Sequence, residues 1–237
     1  MAAEKIDVPA PVRQVQSLIA GIEVTLEKWA QDLGKDLSDL KGMVAGAAID
    51  GLVQPAVKGL LARDSPELAG AGFIANSGLV GPDRSYIAWW QGPQLERVDA
   101  LANFSPSSME RYLKAEWFRI PVESGIPHAT GPYIDFLCTD DYVVTFTHPV
   151  RREGSAELAG IVGTDVAVRT LEQNLIRGLR QLGPAASLVS AEGRVVVSSS
   201  LSLEPGDLIS LDDAGLSYPV GRRFAIVSAT EDDAPRG

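Results

Sequence analysis

One cysteine, Cys138, stands among 237 residues, so no disulfide can form within the chain and the paired thiolates of a structural zinc site are missing. Histidine is scarce too. His128 and His148 are the only two, and neither has a Ser or Cys partner at a spacing that would suggest nucleophilic catalysis. Cations are in deficit: 21 Lys and Arg against 31 Asp and Glu give a formal net charge of -10 and a pI near 4.7. A phosphate-binding surface needs clustered cations that release counterions, so no direct contact with nucleic acid is expected. Long apolar runs are absent, since no window approaches the ~18 to 20 residues that span a bilayer, and Met1 to Val12 lacks the apolar core of a signal peptide. The expectation is a cytoplasmic protein without a membrane segment. The glycines of Gly42 to Gly46 lack a following Lys-Ser/Thr, so they form no phosphate loop, and no cofactor is expected.

What is present begins with a helical pattern. Val12, Val15, Ile19, Ile22, Leu26, Trp29 and Leu33 recur at alternating spacings of three and four, which puts them on one face of a long helix. Gly34 marks a break, and a second helical stretch is expected from about Asp36 to Leu61. The apolar stripe is too long for the sheet of one small domain to cover, so a homodimer is expected. Beyond Pro66 the chain changes to short apolar runs punctuated by Gly, Pro and Asn, the signature of strands and turns. Strands are predicted at Gly72–Asn76, Tyr86–Trp90, Tyr142–Val150, Leu158–Val168, Ala186–Ser190, Gly193–Ser198 and Arg223–Ser228. A short helix opened by Ser105-Pro106 leads to Trp117, and another runs from Thr170 to Leu182. These elements divide the chain into a helical segment, 1–65, a sheet-bearing domain, 66–230, and a disordered tail, 231–237. The class is α+β, with a central antiparallel sheet of five or six strands, a long N-terminal helix and flanking helices.

The chemistry-bearing residues concentrate in the middle of the sheet region. Trp89, Trp90, Tyr112, Trp117, Phe118 and Tyr133 are large aromatics near the predicted strand and helix ends, and any one of them could equally be core packing. Asp165 sits inside the apolar run Gly160-Ile161-Val162-Gly163-Thr164-Asp165-Val166, where a buried carboxylate needs a partner; capping the next helix or accepting from a ligand would both serve. Asp135 has similar standing, although loop aspartates commonly cap their own turns. Aromatic faces attract cations and a carboxylate adds charge-assisted hydrogen bonds, so the set suits an amine or quaternary ammonium.

The segments Trp117-Phe118-Arg119-Ile120-Pro121, Gly131-Pro132-Tyr133-Ile134-Asp135, Tyr142 to Val150 and Gly160 to Asp165 resemble the ligand-binding half of a Cache sensor domain. The resemblance spans about Phe73 to Val227 and implies a PAS-like fold. It also implies a pocket walled by the aromatic pair and Tyr133, with Asp165 reaching a cationic group on the ligand. Amino-acid-sensing members carry an Arg two residues before the aromatic pair, and here that position is Ala115, with Arg111, Lys114 and Arg119 as the nearby alternatives. An amine or small polar metabolite without a carboxylate to clamp is therefore the expected ligand, read out through a separate regulator or output protein. Two other readings stay open: an enzyme using Asp165 or Asp135 as base, and an assembly module acting through its long helices.

Overall fold

The seven residues of the N-terminal stripe are all buried, none above 7% exposure, on α1, Ala10–Asp39. The chain covers its own stripe, so the apolar face from which a homodimer was expected is not open to a second copy. A computed structural model describes residues 8–63, 66–98, 100–135, 141–155, 157–212 and 215–228. Cys138 and the expected tail lie outside these. The elements fall into two compact units, one of residues 22–167 and one of residues 1–21 with 168–237, and α1 contributes to both.

Gly34 does not break α1. Its bare Cα instead admits the end of a strand, since a Cβ there would lie 2.2 Å from the Arg151 carbonyl oxygen. The helix end is tied to the same turn: Arg152 Nη2 donates to the Leu40 carbonyl at 2.5 Å, and the Glu153 N–H donates to Ser38 Oγ at 2.7 Å. Helical geometry stops near Gly42, whose φ is +73°, and α2 occupies only Gly46–Leu61 rather than the stretch from Asp36. At Gly46 the absent side chain makes room for the Tyr86 ring, which a Cβ would meet at 2.3 Å.

Six antiparallel strands form the sheet of the larger unit: β1 Gly70–Ala75, β2 Tyr86–Gln91, β3 Glu96–Arg97, β4 His128–Ile134, β5 Tyr142–Arg151 and β6 Leu158–Ala167. Their order is β3-β2-β1-β6-β5-β4, so β1 and β6 are central, in keeping with their burial, complete in β1 and broken only at Leu158 in β6. The expected hairpin of Tyr142–Val150 with Leu158–Val168 is β5 and β6. One face of β1 and β2 packs on α2. On the other, Ile74, Ile87 and Trp89 cluster with side chains of α3, Pro106–Lys114, and α4, Glu116–Ser124. Ser105 caps α3 as its sequence predicts, accepting from the Ser108 N–H at 3.3 Å. The single short helix expected to end at Trp117 is instead two. Ala115 is extended, with φ −62° and ψ 142°, and the chain turns there into α4, whose first turn carries Trp117.

The last predicted strands do not complete this sheet. After α5, Val168–Leu182, strands β7 Ala186–Ser190, β8 Val195–Ser198, β9 Leu216–Val220 and β10 Phe224–Ser228 make a separate four-stranded sheet in the order β8-β7-β10-β9. Local strand signals carry no information on which sheet a strand joins, because pairing is set by tertiary partners. Its small core is Val189, Val195 and Val227.

The close approach at Gly34 yields a prediction that opposes helix propensity. Gly34→Ala should lose roughly 1–3 kcal/mol through overpacking against Arg151, although Ala is the better helix former by about 1 kcal/mol. Urea denaturation measures this directly, and a more stable Ala variant would show that the helix end can move off the strand.

Candidate functional site

Strand alternation decides which side chains meet. In the β1–β6 ladder Gly70 pairs with Asp165, Gly72 with Gly163 and Ile74 with Ile161; in the β1–β2 ladder Gly72 pairs with Trp89 and Ile74 with Ile87. Thr145 of β5 pairs with Asp165. Directly paired residues share a face, so Ile74, Ile87, Trp89, Thr145 and Asp165 all project to the side covered by α3 and α4. There Tyr112 and Trp117 close over them with rings 6.2 Å apart in an edge-to-face arrangement. Tyr133 and Asp135 complete the wall of a small cavity of about 20 Å³, room for one water molecule as the side chains stand, so a larger ligand requires the aromatic wall to move.

A bulge brings Tyr133 to this face. Thr130 pairs with Thr145 and Tyr133 with Val143, so Gly131 and Pro132 together oppose the single residue Val144. The extra residue shifts the alternation by one and turns the phenol toward Thr145. Glycine is needed at the shift, because Gly131 has φ +124° and a Cβ would stand 2.7 Å from the Val143 carbonyl oxygen.

Asp165 is 4% exposed and its Oδ1 accepts from Thr145 Oγ1 at 2.6 Å. Thr145 has one hydroxyl proton, so its 2.7 Å contact with Tyr133 must be one in which the phenol donates. The relay therefore runs from Tyr133 through Thr145 to the carboxylate. Burial pushes the Asp165 carboxyl up to about 7; the Thr145 hydrogen bond opposes the rise, and the neighbouring charge of Asp135 adds to it. Asp135 is equally buried, with its N–H donating to the Asp141 carbonyl at 3.0 Å. Two acids thus line a cavity whose walls, among the described residues, include no Lys or Arg.

Six of the eight residues singled out in the sequence meet at this cavity: Trp89, Tyr112, Trp117, Tyr133, Asp135 and Asp165. Trp90 and Phe118 do not. Trp90 is the next residue after Trp89 in a strand and so points to the opposite face, where the Arg97 guanidinium lies 4.7 Å from its ring centroid. Phe118 is buried behind Trp117, edge-on at 6.5 Å. None of the three candidate substitutes for the missing Arg lines the cavity: Lys114 pairs with Glu110 at 2.7 Å and Arg119 with Glu123 at 2.9 Å, both on exposed surface, and Arg111 is exposed.

Sequence reasoning missed Ile74, Ile87 and Thr145, which look like ordinary strand residues. It also missed a trough of glycines. Cβ atoms at Gly70, Gly72 and Gly163 would come within 2.9, 2.6 and 3.1 Å of Trp89, so the indole lies across β1 and reaches β6 only because all three are bare. The signal was available, as glycines spaced by two on a central strand mark a close approach.

Solved chemoreceptor domains share this architecture. The ligand-binding domain of the Pseudomonas fluorescens chemoreceptor CtaA, in complex with L-valine, aligns with a TM-score of 0.58 at 18% identity over 94% of both chains. The Cache sensor fold is present. The ligand-binding domain of Pseudomonas aeruginosa PctB, in complex with L-Gln, aligns with a TM-score of 0.60 at 19% identity over 94% of this chain and 87% of its own. That of PctC from the same organism, in complex with GABA, gives 0.56 at 17% over 92% and 94%. At these identities the likeness is one of fold. No family model and no curated protein matches the sequence.

The raised carboxyl of this Cache-type cavity has a stability consequence. Between the unfolded value near 4 and about 7 the folded state binds more protons than the unfolded one, so the Asp165 contribution erodes stability as pH rises through this window and is constant above it. Asp165→Asn, which carries no charge, should therefore be more stable than the wild type by roughly 1–3 kcal/mol above pH 7, with the gain fading toward pH 4. Thermal denaturation of the ligand-free proteins across pH checks this; a constant difference between them would remove the buried-charge explanation.

Proposed function

We propose that this chain is a sensor domain whose cavity binds a small metabolite carrying a cationic amine, and that occupancy is reported to a protein partner. The observation that carries the reading is the placement of two buried acids, Asp165 and Asp135, among Trp89, Tyr112, Trp117 and Tyr133. Such a site compensates a positive charge with carboxylates and ring faces together, whereas a ligand carboxylate would find no cation to clamp it among the described residues. The chemoreceptor domains that share the fold were solved with L-valine, L-Gln and GABA bound, which supports the class of small, amine-bearing ligand. Ala115 stands where amino-acid-sensing members of the family carry Arg, and this is the basis for preferring amines over α-amino acids.

Binding without catalysis accounts for the surroundings of Asp165. A carboxyl that titrates near neutrality suits a general base, but this one is engaged by the Thr145 hydroxyl and walled by aromatic and aliphatic side chains. His128 contacts Glu116 at 2.9 Å and His148 contacts the Pro149 carbonyl, and neither lines the cavity. No described helix is long and apolar enough to cross a membrane.

A thermal-shift panel of simple amines, α-amino acids and short carboxylates at pH 8 tests the ligand class. Amines at about 100 times their dissociation constant should stabilise the protein by about 2.7 kcal/mol. Calorimetry should then show that Asp165→Asn weakens amine binding at least about tenfold and that Trp117→Ala costs on the order of 2 kcal/mol. Stabilisation by carboxylates or α-amino acids alone would overturn the assignment.

A further inference from the structure

The indole nitrogen of Trp89 is the one polar atom of the cavity wall that is buried without a hydrogen-bond partner among the described residues. Leaving such a donor unpaired costs roughly 1–3 kcal/mol, and the residue is only 4% exposed. Its position is specific. The point at which Gly70 would carry a Cβ lies 2.9 Å from Trp89 Nε1 and 3.5 Å from Asp165 Oδ2. The Trp90 carbonyl oxygen is 3.3 Å from the same point, and a Cβ there would press on the indole, so the bare Cα is what lets the indole N–H and the carboxylate oxygen lie close together at the cavity wall.

An indole N–H can only donate and a carboxylate can only accept. A group between them must therefore accept from the first and donate to the second. A hydroxyl does both with one oxygen. An ammonium offers no lone pair to the indole, and a carboxylate would be repelled by Asp165. We propose that Trp89, Asp165 and the bare Gly70 form a hydroxyl subsite, so that the ligand is a 1,2-amino alcohol. This rests on the reading that the cavity takes an amine. The ammonium has Asp135 as its second acid, and both ligand groups must come within roughly 3 Å of the same Asp165 carboxylate, which places them on adjacent carbons. Oδ1 is already engaged by Thr145, so Oδ2 is the oxygen that faces the hydroxyl.

The experiment compares 2-aminoethanol with ethylamine on the full chain at pH 8. Wild-type protein should bind 2-aminoethanol about tenfold more tightly, the scale of one well-made hydrogen bond. In Trp89→Phe and in Gly70→Ala the ratio should fall to about unity, the first by deleting the donor and the second by a Cβ, 2.9 Å from Nε1, that pushes the indole away from the carboxylate. In a nitrogen-15 spectrum, the side-chain N–H resonance missing from Trp89→Phe should move downfield with 2-aminoethanol and stay in place with ethylamine. Equal wild-type affinities, or a preference that survives in Trp89→Phe, would overturn the hydroxyl subsite and leave the amine site standing. Failure of both probes to bind would overturn the amine site and this inference with it.

Discussion

A carboxylate buried in the middle of a six-stranded sheet is the constraint around which the rest of the larger unit is arranged. Asp165 lies on a central strand, where little of it meets water and where an unpartnered charge would be costly. The chain meets this with a short polar relay from Tyr133 through Thr145, and that relay requires the bulge at Gly131 and Pro132 to aim the phenol. The relay satisfies one oxygen only in part, and the carboxyl remains near neutrality in its titration. The residual cost is consistent with a group kept for recognition, since an apolar residue would fill the same strand position more cheaply.

The aromatic lid is a consequence of the same constraint. A carboxylate discriminates between ligands only if water is excluded, and Tyr112 and Trp117, brought together by the extended joint at Ala115, provide that exclusion from α3 and α4. Trp89 lies beneath them, its indole set into the glycine trough of β1 and β6. The sheet therefore supplies polarity at one strand position and flatness at three others. The amine reading depends on this combination, since aromatic faces and acids both favour positive charge.

Much of this was legible in the residues, and the parts that were not have identifiable causes. The helix stripe, the β5–β6 hairpin and the Ser105 cap each rest on short-range periodicity or capping chemistry, which a sequence displays directly. Asp165 was noticeable because a lone acid in an apolar strand is locally inconsistent, and such inconsistencies gather at functional positions. Trp90 was grouped with Trp89 among the candidate wall residues, whereas adjacent strand residues face opposite ways. Gly34 was read for its propensity when its role is to admit Arg151, a contact separated by more than a hundred residues. The second sheet was missed for the same reason: the strands were recognisable, but their partners are set by pairing that no local window contains.

Proton bookkeeping on binding tests the central claim that Asp165 is the charge partner of the ligand. Calorimetric titration of the protein with 2-aminoethanol at pH 6.5, in two buffers of different ionisation enthalpy, gives the number of protons exchanged. With a carboxyl near 7 that must ionise to hold an ammonium, binding should release most of one proton in the wild type and close to none in Asp165→Asn. Binding with no proton released by the wild type would show that the ligand's charge is met elsewhere and would contradict the account.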